Sequence, residues 1–121
     1  LASYKLLSNR SKTLIMGASF KANCGDLRNS QILKLFSNLL EYGLDVQVFD
    51  PLVNSADWEA KTKTKLVCCL KNRKYDSIIY ANNHDIFSKF KKNSLRSLLN
   101  SKHLILDMTY KLKFTDHTIR I

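Results

Sequence analysis

Residues Leu14 to Ser30, LIMGASFKANCGDLRNS, constrain this chain more than any other stretch. Leu14 to Met16 is an apolar run of buried-strand length, and Gly17 follows at once. A polar loop then runs to Asn29-Ser30, where Asn29 is suited to cap a helix. Behind it Ile32, Leu33, Phe36, Leu39 and Leu40 recur at helical spacing and make one apolar stripe. A strand that empties into a polar loop ahead of a helix is where open α/β sheets bind their ligands. Lys21 and Arg28 in this loop suit an anionic ligand, and the helix behind adds N–H groups and the positive end of its dipole.

The same alternation continues. Gly43 sits where a C′ glycine ends a helix. The pattern predicts strands over Thr13–Ala18, Asp45–Phe49, Ser77–Ala81 and His103–Asp107. A short helix is expected from Ser55 to Ala60, with Asn54 or Ser55 as its cap, followed by a solvated run from Lys61 to Lys65. Leu66–Leu70 reads as strand or helix. His84–Asn93 and Ser94–Ser101 read as helical turns with Ile86, Phe87, Phe90, Leu95, Leu98 and Leu99 inward, and Met108 opens a tail of mixed character. Strands alternating with helices imply an α/β fold: a Rossmann-like open parallel sheet with right-handed crossovers and helices on both faces. The nearly continuous apolar character of the first and third strands fits a sheet covered on both sides.

A chain of 121 residues, 45% hydrophobic, suits one domain. Residues 1–12 read as the end of a connecting helix, and 13–121 as the domain. No apolar run approaches the ~20 residues of a membrane span. The start, LASYKLLSNRSK, has no initiating Met and too short an apolar stretch for a signal peptide, so a piece of a larger cytoplasmic protein is expected. The net charge of +10, from 20 basic and 10 acidic residues, invites a nucleic-acid reading. The lysines are scattered, however, as on a solvated surface, and charge alone does not name a partner. Cys24, Cys68 and Cys69 form no CxxC pair and have no His at zinc spacing, so free thiols and no metal site are expected. Cys24 reads as a small neutral filler rather than a nucleophile, since no base adjoins it.

The loop wording resembles a known family. Phe20-Lys21, then Asn23, Asp26-x-Arg28 and Ser30, is similar to the start of the C-terminal, UDP-binding domain of UDP-glucose/GDP-mannose dehydrogenases. Tyr42-Gly43-Leu44-Asp45-Val46 through Phe49-Asp50-Pro51 resembles that domain's second strand and exit. Tyr75-Asp76-Ser77-Ile78-Ile79 through His84-Asp85-x-Phe87 resembles its third strand and loop. The Asn-Cys pair and the His after strand three look more like the branch that oxidises UDP-N-acetylhexosamines. The resemblance implies a UDP-sugar ligand and a whole enzyme that oxidises C6 of a UDP-hexose to the carboxylate for surface polysaccharide synthesis. It implies NAD as hydride acceptor, bound by an N-terminal domain outside this chain, a nucleophilic Cys also outside it, and a homo-oligomer. This chain itself would bind no NAD, carry no catalytic residue and be inactive alone.

The same resemblance places Lys21 on the UDP-sugar, with Phe20 beside it. Lys offers a mobile point charge to phosphate and Arg a planar fork. Phe20 reads equally as a core residue capping strand one, and Arg28 as the partner of Asp26 in a loop brace. His84, after strand three, could line the same crevice or stand in water beside a helix N-terminus. Asp50 has the position of a ribose-gripping acid, yet GxGxxG is missing, with Gly17 alone after strand one, so Asp50-Pro51 reads as a strand exit. The family commonly has a basic residue two positions after the Asp ending its last strand. Here that position is Thr109, with Lys111 two further on. The competing reading is a stand-alone, non-catalytic nucleotide- or RNA-binding module on the same scaffold.

Overall fold

The computed structural model describes residues 11–19, 31–70, 73–81, 97–107 and 118–120. Its elements are β1 Lys12–Met16, α1 Gln31–Glu41, β2 Asp45–Phe49, α2 Ser55–Thr62, β3 Tyr75–Tyr80, β4 Leu99–Asp107 and β5 Thr118–Arg120. The five strands form one parallel sheet in the order β2-β1-β3-β4-β5. Ile15 lies opposite Val48 on one side and Ile79 on the other, so β1 is an interior strand.

Alternate residues of the strands feed two cores. Ile15, Val46, Val48, Ile79 and Leu106 pack with Ile32 and Phe36 of α1 and Trp58 of α2. Leu14, Met16, Ile78, Tyr80 and Ile105 pack on the opposite face with Leu70, Leu98 and Val67. Both faces of β1 and β3 are therefore buried, which is why these strands read as unbroken apolar runs. Among the described residues both helices lie on the first face.

The α1 stripe centres on Ile32 and Phe36, flanked by Leu33, Leu35 and Leu39. Leu40, expected inside, is 41% exposed in the last turn. The helix ends as its sequence requires: Gly43 has φ 86°, its N–H bonds Leu40 O at 3.0 Å, and Leu44 N–H bonds Leu39 O at 3.3 Å. These are the paired bonds of a Schellman cap, with Leu44 tucked into the core. Asn54, not Ser55, caps α2, its side chain accepting from Ala56 N at 2.8 Å and Asp57 N at 3.2 Å. Trp58 anchors α2, edge-on to Phe36 at 5.2 Å, with its indole N–H on Thr64 Oγ1 at 3.2 Å.

Several boundaries differ from the sequence reading. β1 stops at Met16 because Gly17 takes φ 107° and leaves the ladder. α2 continues to Thr62, and β3 begins at Tyr75. β4 begins at Leu99, so Leu99 to Ser101, which read as helical turn, are strand, while Leu98 and Leu99 are buried as expected. A fifth strand lies in the supposed tail. Leu66–Leu70 is neither strand nor helix, because it rounds the edge of the sheet. Leu66 joins the helix-side core, Leu70 joins the opposite one, and Val67 N–H bonds Val48 O on β2 at 2.8 Å. This covers an otherwise open edge and leaves Cys68 and Cys69 exposed and free. Residues 1–10, 20–30 and 82–96, with the expectations that fall on them, lie outside the described residues.

Thr13 and Ser77 make a polar contact in the core between β1 and β3. Thr13 Oγ1 and Ser77 Oγ, both fully buried, share a hydrogen bond of 2.9 Å. Ser77→Ala should cost about 1–3 kcal/mol, since it strands the Thr13 hydroxyl. Thr13→Val combined with Ser77→Ala should recover most of that loss, a sign that a double-mutant cycle in urea would read directly. A double mutant no more stable than Ser77→Ala would refute the pairing.

Candidate functional site

The strand order puts a topological switch point between β1 and β3. The chain leaves β1 toward β2 on one side, then returns to lay β3 on the other. Ligands of open parallel sheets bind outside the carboxyl ends at such a point. Here those ends are tied together. Ala81 N–H, just past β3, bonds Met16 O at 3.0 Å, and Gly17 N–H bonds Phe49 O at 3.0 Å.

Asp50 completes the ties. The residue is buried, 3% exposed. Oδ2 accepts from Ala18 N–H at 2.8 Å and Oδ1 from Leu52 N–H at 2.9 Å. Val53 N–H closes a turn onto Asp50 O at 3.4 Å. Asp at the first position and Pro at the second are the residues such a turn favours. Asp50-Pro51 is thus a strand exit, as its sequence suggested, and also a brace on the exit of β1. The residue types were legible. The partner, 32 positions away in sequence, was not.

The residues singled out by sequence for the ligand follow the exits of β1 and β3 along the chain. Phe20, Lys21, Cys24, Asp26 and Arg28 follow Ser19, and His84 follows Ala81 by three positions. All of them, with Thr109 and Lys111, lie outside the described residues. What the structure fixes is that both segments start from the two strands flanking the switch point.

The exit of β1 does not fit a dinucleotide. The fingerprint needs a second glycine where the backbone meets a pyrophosphate. That position holds Ser19, which is 1% exposed, and the Ala18 N–H before it bonds Asp50. Among the described residues no His, Cys, Asp and Glu cluster could hold a metal ion. No helix among them is long and apolar enough to cross a membrane. Among the described residues Lys12, Lys34, Lys61, Lys63, Lys65 and Lys74 are exposed.

At the opposite, amino end of the strands an open cavity of about 310 Å³ is lined by Lys12, Gln47, Arg73, Lys74 and Tyr75. Tyr75 donates to Gln47 Oε1 at 2.6 Å, and Lys74 Nζ donates to Ser97 O at 2.5 Å. Burial pushes the Tyr75 hydroxyl above its ordinary value, and the Arg73 charge works against that rise.

Fold and strand order together define the chain as an α/β domain built on an open parallel sheet with a switch point. Residues 14–113 match the model of the UDP-glucose/GDP-mannose dehydrogenase family, UDP binding domain, and the chain belongs to that family. It is 33% identical over 110 residues to a UDP-N-acetyl-D-glucosamine 6-dehydrogenase of Pseudomonas aeruginosa, covering 91% of this chain and 26% of that protein. It is 32% identical to the enzyme of the same description from Salmonella typhi, covering 92% of this chain and 26% of that one. The chain thus spans about a quarter of the length of these relatives. In fold it is similar to a UDP-D-ManNAc dehydrogenase from Pyrococcus horikoshii, with TM-score 0.78 and 18% identity over 99% of this chain and 28% of that one.

Proposed function

We propose that this chain holds the UDP group of a nucleotide sugar at the carboxyl edge of its sheet, as the C-terminal domain of an NAD-dependent 6-dehydrogenase. The observation that carries the reading is the position of the β1 exit, Gly17–Ser19, at the switch point. It lies within the matched family domain and leads in sequence into Phe20 and Lys21. In this reading residues 13–121 are the UDP-sugar domain and 1–12 the end of a connecting helix. Lys21 meets the diphosphate as a point charge, and Arg28 adds a planar fork or braces the loop. Phe20 and His84 line the crevice from its two sides.

The substrate is a UDP-N-acetylhexosamine, supported by the descriptions of the two bacterial relatives. The alcohol at C6 goes to the carboxylate, for use in surface polysaccharide. The hydride acceptor NAD and the nucleophilic thiol come from parts of the enzyme outside this chain, because the β1 exit does not fit a dinucleotide. The whole enzyme works in the cytoplasm as a homo-oligomer, and this chain alone turns over no substrate.

An NMR titration with UDP tests the reading. Binding should be weak, since a ligand that loses part of its enclosure loses contacts and preorganisation. Shifts should cluster at Gly17–Ser19 and through the loop to Arg28. Lys21→Ala should remove a charge-assisted contact of about 1.5–3 kcal/mol, tenfold or more in affinity. Shifts clustered elsewhere, or full affinity in Lys21→Ala, would overturn the site. Far tighter binding of single-stranded RNA at physiological salt would favour the non-catalytic module.

A further inference from the structure

We infer that Asp50 is a positioning residue for the nucleotide, an inference that rests on the UDP-binding reading and adds a residue to it. Its carboxylate lies at the end of β2, yet it fixes the point where the ligand loop leaves β1. Oδ2 holds Ala18 N–H at 2.8 Å, two residues before Phe20 and three before Lys21. The carboxylate has little freedom of its own. Oδ1 holds Leu52 N–H at 2.9 Å, and the Asp50–Val53 turn holds the main chain. One residue earlier, Gly17 N–H is pinned to Phe49 O, and Gly17 turns the backbone at φ 107°. Two successive N–H groups of the β1 exit are thus held by Phe49, the last residue of β2, and Asp50, the next, so Gly17 and Ala18 are tied to the sheet.

Charge by itself argues against placing a carboxylate here. A buried negative group near a diphosphate site raises the cost of bringing in the anion. Positioning and charge therefore predict opposite signs for one substitution. Asp50→Asn removes the charge and keeps the shape. Its amide can offer an oxygen to only one of the two N–H groups, and its NH2 must face the other. If charge dominated, the variant would bind UDP more tightly. If Asp50 only stabilised the fold, the variant would melt earlier and bind UDP as before.

The experiment is a UDP titration of the 121-residue chain and its Asp50→Asn variant by 15N NMR at physiological ionic strength, with thermal melts of both. The expected result is binding about tenfold weaker in the folded variant, with the Ala18 amide resonance displaced before ligand is added. Equal or tighter binding by the variant overturns the inference and leaves the UDP reading standing. Failure of the unsubstituted chain to bind UDP overturns the UDP reading itself. Should the variant not fold, amide exchange in the unsubstituted chain decides. Saturating UDP should slow exchange at Ala18 more than at Leu14 in the centre of β1, and an equal slowing at both overturns the inference.

Discussion

Trp58→Ala should destabilise the chain by about 3–5 kcal/mol, the range for deleting a buried aromatic side chain. Trp58 is fully buried and is the one buried residue of α2. Its ring packs edge-on against Phe36 at 5.2 Å, which couples α2 to α1, and its N–H satisfies Thr64. The substitution removes that aromatic pair and opens a cavity against Val48, Val53 and Leu66, which share its core. A melting temperature lower by roughly 10–25 °C is expected for a domain of this size, with an earlier urea midpoint. A loss under about 1 kcal/mol would mean that α2 does not seal this face.

Leu14→Ala should cost about 2–5 kcal/mol, and it examines the other layer. Leu14 is 0% exposed and lies on the face of β1 away from both described helices, against Met16, Ile78, Leu70 and Ile105. A half-solvated sheet would barely register the change. A sheet buried on both faces should register it nearly as strongly as Trp58→Ala. Equilibrium unfolding in urea separates these outcomes, and a cost below about 1 kcal/mol would refute a sheet covered on both sides.

Much of this architecture was legible because its causes are local. The Ile32–Phe36–Leu39 stripe, the Gly43 cap and the strand over Asp45–Phe49 each follow from residue type and spacing within a dozen positions. The Asp50-Pro51 turn follows from the preferences of its own residues. The family wording of Phe20 to Ser30 also lies in one stretch, so the family is recognisable from sequence alone. The element boundaries that moved did so where a neighbour decided them. β4 begins at Leu99 because Tyr75 is its parallel partner there, and Tyr75 N–H bonds Leu98 O at 2.7 Å. β5 exists because β4 offers Ile105 to Asp107 an edge to pair with.

Sequence by itself determined the class of fold and the Gly43 cap of α1. Tertiary structure alone decided three things. Leu66–Leu70 rounds the β2 edge instead of forming an element, since its apolar residues are claimed by two different cores. Thr13 and Ser77, polar residues in apolar strands, satisfy each other across 64 positions. Asp50 reaches the backbone of another strand's exit across 32 positions. The physical reason is the same in each case. Periodicity and propensity report the chain's local geometry. A buried polar group or an apolar run without period must find its partner wherever the folded sheet places one.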